Sequence, residues 1–133
     1  MESKFVSRAK ELRAIENPRY NCAQAVLIPF AEEKGVDVQN LFDITRNFNQ
    51  GMKQGKTCGA VTGGLMALSL YGIYDVPSIQ EYYATFKANH QGETDCQKLL
   101  EQDMDKFESR QERCGALVYE CVSIVEKMIK ERK

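Results

Sequence analysis

The sequence predicts an all-α fold: a single-domain helical bundle of about five to seven helices around a central glycine-containing apolar helix. Three observations carry that expectation. Apolar residues recur at three- and four-residue spacing through almost the whole chain, which is the helical period. Pro18, Gly35, Gly72 and Gly92 stand between the periodic segments, where helices are expected to stop. No run alternates apolar and polar residues for long between turn signals, so no strand is expected. A chain of 133 residues can bury a core without covalent staples, and residues 1–133 read as one domain.

The elements follow in order. Phe5, Ala9, Leu12 and Ile15 share one helical face, and Pro18 closes that segment. A second helix starts at Asn21, carries Cys22, Ala25, Val26 and Phe30, and stops at Gly35, with Pro29 as a kink or an early end. Val38, Leu41, Phe42 and Thr45 form a short third helix opening near Asp37. Residues 49–56 contain Gly51 and Gly55, have no periodic face, and read as a loop.

The central helix spans 58–71 and closes at Gly72. Val61, Leu65, Met66, Leu68 and Leu70 make it apolar on most sides, so it belongs in the interior. Pro77 and Ser78 open a helix through Tyr82, Tyr83 and Phe86 that ends before Gly92, and a shorter helix begins at Thr94. The last helix begins near Ser109, with Cys114, Leu117, Val118, Cys121, Ile124, Val125 and Met128 on one face.

Acids and bases nearly cancel, leaving a net charge of −1, which argues against a nucleic-acid or anionic-membrane surface. No apolar stretch approaches the ~20 residues that span a bilayer. The opening Met1-Glu2-Ser3-Lys4-Phe5 lacks a secretory apolar run, so a cytoplasmic, thiol-reducing setting is expected. Five cysteines exceed what packing requires there, and an odd number fits a purely structural disulfide framework poorly.

Three of these cysteines fall in one local setting. Asn21-Cys22-Ala23-Gln24 and Thr94-Asp95-Cys96-Gln97 each place a capping residue three positions before glutamine, and Thr57 is placed to cap a helix beginning at Cys58. A thiol in a first turn lies beside unpaired N–H groups and the positive end of the helix dipole, which favour thiolate. Cys58 is the expected attacker, because Gly59, Gly63 and Gly64 offer a close-approach surface for a ligand or partner backbone. Cysteine is also a common buried residue, and Cys121, amid Leu117, Val118, Ile124 and Val125, reads as core.

Absent motifs narrow the chemistry. There is no Cys-x-x-Cys, hence no thioredoxin-type dithiol, ribbon zinc site or ferredoxin run. The single histidine, His90, is expected at a helix end as a surface or capping residue. Gly51-Met52-Lys53-Gln54-Gly55-Lys56-Thr57 is one residue short of a phosphate loop and follows no strand, so no phosphate site is expected there.

The cysteine spacing, with Cys58-Gly59-Ala60-Val61-Thr62-Gly63 at its centre, resembles the bacterial and archaeal C_GCAxxG_C_C family of redox-active proteins. Asn21-Cys22-Ala23-Gln24-Ala25-Val26-Leu27 is similar to its first block, and Phe48 through Leu68 to its central block. Cys96-Gln97-Lys98-Leu99-Leu100 is similar to the third, and Cys114-Gly115-Ala116-Leu117-Val118 to the fourth, which leaves Cys121, one heptad on, as an extra. The resemblance implies an all-α fold, four functional cysteines and a redox role beside oxidoreductase or transporter genes. It implies no substrate.

Three functions are therefore open. Cys22, Cys58, Cys96 and Cys114 could perform thiol–disulfide exchange or electron transfer with an unidentified oxidoreductase or redox partner protein. The same four thiolates could hold zinc or an iron–sulfur cluster. The chain could instead be a non-catalytic interaction module with buried cysteines. A homodimer is compatible with all three, and four cysteines allow three pairings between which spacing does not choose.

Overall fold

Capping residues and glycine stops set the limits of seven α-helices among the described residues. A computed structural model describes residues 3–102 and 104–132; Met1, Glu2, Asp103 and Lys133 lie outside them. Among the described residues there is no strand, and the helices are α1 (Lys4–Ala14), α2 (Cys22–Lys34), α3 (Val38–Ile44), α4 (Gly59–Leu70), α5 (Val76–Ala88), α6 (Cys96–Glu101) and α7 (Arg110–Glu131). The all-α expectation holds, with helix number at the top of its range.

Local chemistry explains each boundary. Ser3, Asp37, Asp75 and Ser109 cap α1, α3, α5 and α7 by accepting from backbone N–H groups two or three residues on. Asn21 forms a complete capping box: its side chain accepts from Gln24 N at 2.8 Å, and Gln24 Oε1 accepts from Asn21 N at 2.8 Å. Helix α2 runs through Pro29 to a left-handed Gly35, because residues 23–31 are buried on every side and packing outweighs the lost hydrogen bond.

The core is one cluster in which α2 lies along α4, and α1, α5 and α7 close around that pair. Glycines set the approach. A Cβ at Gly63 would meet Ala23 O at 2.5 Å, so the two helix backbones nearly touch. One at Gly64 would lie 2.0 Å from the Tyr82 hydroxyl, which donates to Val61 O at 2.9 Å. The close approach expected for a ligand at Gly63 and Gly64 is therefore made by the protein's own α2 and α5.

Two capping expectations are corrected. Cys58 is itself the N-cap of α4, and Asp95 occupies that position for α6 without a side-chain cap bond. Thr57 and Asp95 instead form an isolated antiparallel bridge, in which Cys58 N donates to Thr94 O at 2.8 Å and Cys96 N donates to Lys56 O. That bridge occupies the N–H groups of Cys58 and Cys96 and ties the start of α4 to the start of α6. Before it, Gln50, Gly51, Met52 and Lys53 all have positive φ, a left-handed turn that is costly for the three non-glycine residues.

Candidate functional site

The starts of α2, α4, α6 and α7 meet around one cavity of about 680 Å³. Its walls include Cys22, Cys58, Cys96 and Cys114, four of the five cysteines. Cys121 is elsewhere, fully buried in the core beside Tyr82. All five are free thiols. Gly59 also lines this cavity: a Cβ there would meet Phe48 O at 2.6 Å and Cys22 Cβ at 3.3 Å, so its bareness lets α4 start against both.

Arginine is the feature missed by the sequence reading. Arg13, Arg19, Arg46 and Arg110 line the cavity, and no aspartate or glutamate does so among the described residues. Arg13 Nη1 reaches Cys22 Sγ at 3.9 Å while its Nη2 donates to Gln111 O at 2.9 Å. Arg19 Nη2 donates to Gln111 Oε1 at 2.6 Å, and Arg46 pairs with Asp43 at 2.9 Å. These arginines come from four separate segments with no periodic relation, so only the sequence positions, not their convergence, were legible.

The thiols are electrostatically unequal. Cys114 is brought down to about 6, first by the Cys22 thiol as hydrogen donor and then by the charges of Arg13 and Arg110, against an opposing burial cost. Cys22 is correspondingly pushed up, by the proton it shares with Cys114, by burial and by the Cys114 charge. One proton between two facing thiols is the largest cause of both shifts.

Cys58 is raised to about 11. Burial is the largest cause; the Ala60 and Val61 N–H groups favour its thiolate but close no cap bond of ordinary geometry, and they do not offset burial. Cys96 is also raised by burial, with Arg110 opposing. The expectation that Cys58 is the activated thiolate is thus corrected: at a 3 % exposed site desolvation outweighs the helix start.

Among the described residues, no three or more of His, Cys, Asp and Glu are grouped so as to hold one metal ion. The four thiols line one cavity, but as placed no three of them form the ligand set that zinc or an iron–sulfur cluster requires. His90 lies in the turn that ends α5, as expected, with its N donating to Lys87 O at 3.0 Å, but it is buried and not on the surface: its ring is tilted against Phe86 at 4.3 Å, and Nε2 is 2.7 Å from Glu120 Oε1. No described helix is long and apolar enough to cross a membrane.

Comparison with known families gives a match. A family model described as "Putative redox-active protein (C_GCAxxG_C_C)" matches residues 20–128, a span that holds every cavity cysteine. Neither a curated protein nor a solved structure gives a significant match.

Proposed function

The chain belongs to the C_GCAxxG_C_C family, and we propose that it performs thiol–disulfide exchange with Cys114 as the attacking thiolate and Cys22 as the resolving thiol. The observation that carries this reading is the facing Cys22–Cys114 pair, flanked by Arg13 and Arg110 on the wall of an open cavity. A pKa of about 6 leaves Cys114 mostly thiolate at neutral pH while keeping the nucleophilicity of an ordinary thiol within reach.

The steps balance. The Cys114 thiolate attacks one sulfur of a disulfide RSSR, forming a Cys114–SR mixed disulfide and releasing RS⁻. Cys22 then gives its proton to solvent and attacks the Cys114 sulfur, releasing the second RS⁻. The protein dithiol loses two electrons and becomes a Cys22–Cys114 disulfide; the substrate disulfide gains them as two thiols. The first step prepares the second: once Cys114 is bonded, the shared proton and the Cys114 charge no longer hold Cys22 up, and Arg13 still favours its thiolate.

Cys58 and Cys96 are the slower members of the same redox constellation, kept protonated at neutral pH by burial. The absence of a grouped ligand set favours this pairwise chemistry over a metal centre.

The test is oxidation in a glutathione redox buffer, acid quenching, alkylation and peptide mapping. The expected product is a Cys22–Cys114 disulfide. Cys22→Ala is expected to stall as a mixed disulfide on Cys114, and Cys114→Ala to lose the reaction. First modification at Cys58 or Cys96 would overturn the assignment.

A further inference from the structure

We infer that the disulfide taken by this cavity is small and carries carboxylates: a low-molecular-weight anionic disulfide or its thiol. This rests on the exchange reading above and adds the class of substrate. The cavity presents four guanidinium groups and no carboxylate among the described residues, on a chain whose net charge is −1. The positive field is therefore local to the thiols and not a property of the whole surface.

Arg13, Arg19 and Arg110 make no ion pair with a carboxylate among the described residues, while Arg46 pairs with Asp43 on an arm that is still 62 % exposed. Arg13 and Arg110 act on the Cys114 sulfur, which assigns them to the reacting end. Arg19 and Arg46 take no part in that shift; one guanidinium nitrogen of each is held, by Gln111 and Asp43, and their other N–H groups are left for the remote end of a ligand. Planar guanidinium forks suit carboxylates in two-point contact.

Size suits a small molecule. About 680 Å³ lies within the range of small-molecule sites, roughly 300–1,000 Å³. Cys22 and Cys114 are half-buried on the cavity wall, which a short flexible disulfide reaches more readily than a folded chain does.

The experiment compares three short disulfides by mass-resolved oxidation of Cys114: dithiodiglycolate (a dianion), hydroxyethyl disulfide (neutral) and cystamine (a dication). Each rate is divided by that of mercaptoethanol with the same disulfide, which removes intrinsic reactivity. The dianion is expected to be preferred over the dication by a factor on the order of ten or more, shrinking in high salt.

Arg19→Gln and Arg46→Gln are expected to lower that preference several-fold. The Cys114 alkylation midpoint in the same variants separates ligand recognition from a change in the nucleophile. Equal fast reaction of all three disulfides at Cys114 would overturn the anionic substrate while leaving the exchange reading standing. Reaction of insulin disulfides as fast as dithiodiglycolate would overturn the small-molecule class. No reaction at Cys114 beyond that of the free thiol would remove both readings.

Discussion

Cys114 and Cys58 both lie near helix starts, yet their thiols move in opposite directions because burial acts on them unequally. Cys114 has a proton donor and two guanidinium groups; Cys58 has two backbone N–H groups against near-complete desolvation. Removing the donor tests this directly. Cys22→Ala is expected to raise the Cys114 alkylation midpoint from about 6 toward the ordinary thiol value, and Arg13→Gln to raise it by a smaller amount. Cys58 gives a stability prediction of opposite sense. Its folded pKa, about 11, lies above the ordinary 9.0, so the neutral buried thiol contributes fully below pH 9 and that contribution is lost as pH rises through about 11. The difference in unfolding free energy between the native chain and Cys58→Ala is expected to shrink by about 3 kcal/mol across that window, read from denaturant titrations. A constant difference would mean that Cys58 is more hydrated than its burial implies.

Helix α4 shows why glycine was legible as a signal but not as a surface. The sequence marks Gly59, Gly63 and Gly64 as costly inside a helix, and the cost of ~1 kcal/mol each implies a close approach. It does not say by what. Ala23, Tyr82 and the Phe48 carbonyl fill all three places, and of the three glycines only Gly59 also borders the cavity. Gly63→Ala is expected to force α2 from α4 and destabilise by about 2–3 kcal/mol in thermal or urea unfolding. Gly115→Ala on α7 is the contrast: its Cβ would meet Tyr119 at an ordinary 3.5 Å, so up to about 1 kcal/mol of stabilisation is expected from the better helix former. The caps divide in the same way. Asn21-Cys22-Ala23-Gln24 was readable because a capping box is a local pattern. The failure at Thr57 and Thr94 came from a backbone bridge between segments nearly forty residues apart, which local pattern does not encode.

At the scale of the molecule, helical periodicity made the bundle and its stops readable, while the cavity arises only when four helix starts converge and bring Arg13, Arg19, Arg46 and Arg110 with them. Cys22, Cys58 and Cys96 were named from their local settings and Cys114 from the family resemblance; their ranking required burial and neighbours. Convergence also links redox state to stability. A Cys22–Cys114 bond would join the start of α2 to the first turns of α7 across a loop of roughly 90 residues, and chain entropy then favours the oxidised fold by up to about 4–5 kcal/mol. The oxidised protein is expected to unfold at higher denaturant than the reduced one, and Cys22→Ala to abolish the difference. The most direct measurement is site-resolved alkylation of the reduced native protein between pH 4 and pH 10, followed by mass spectrometry of each cysteine peptide. Cys114 is expected to react first, with a midpoint at about pH 6 and a rate at neutral pH well above that of Cys58. Fastest labelling at Cys58, or a Cys114 midpoint at the ordinary thiol value, would contradict the assignment of Cys114 as the nucleophile.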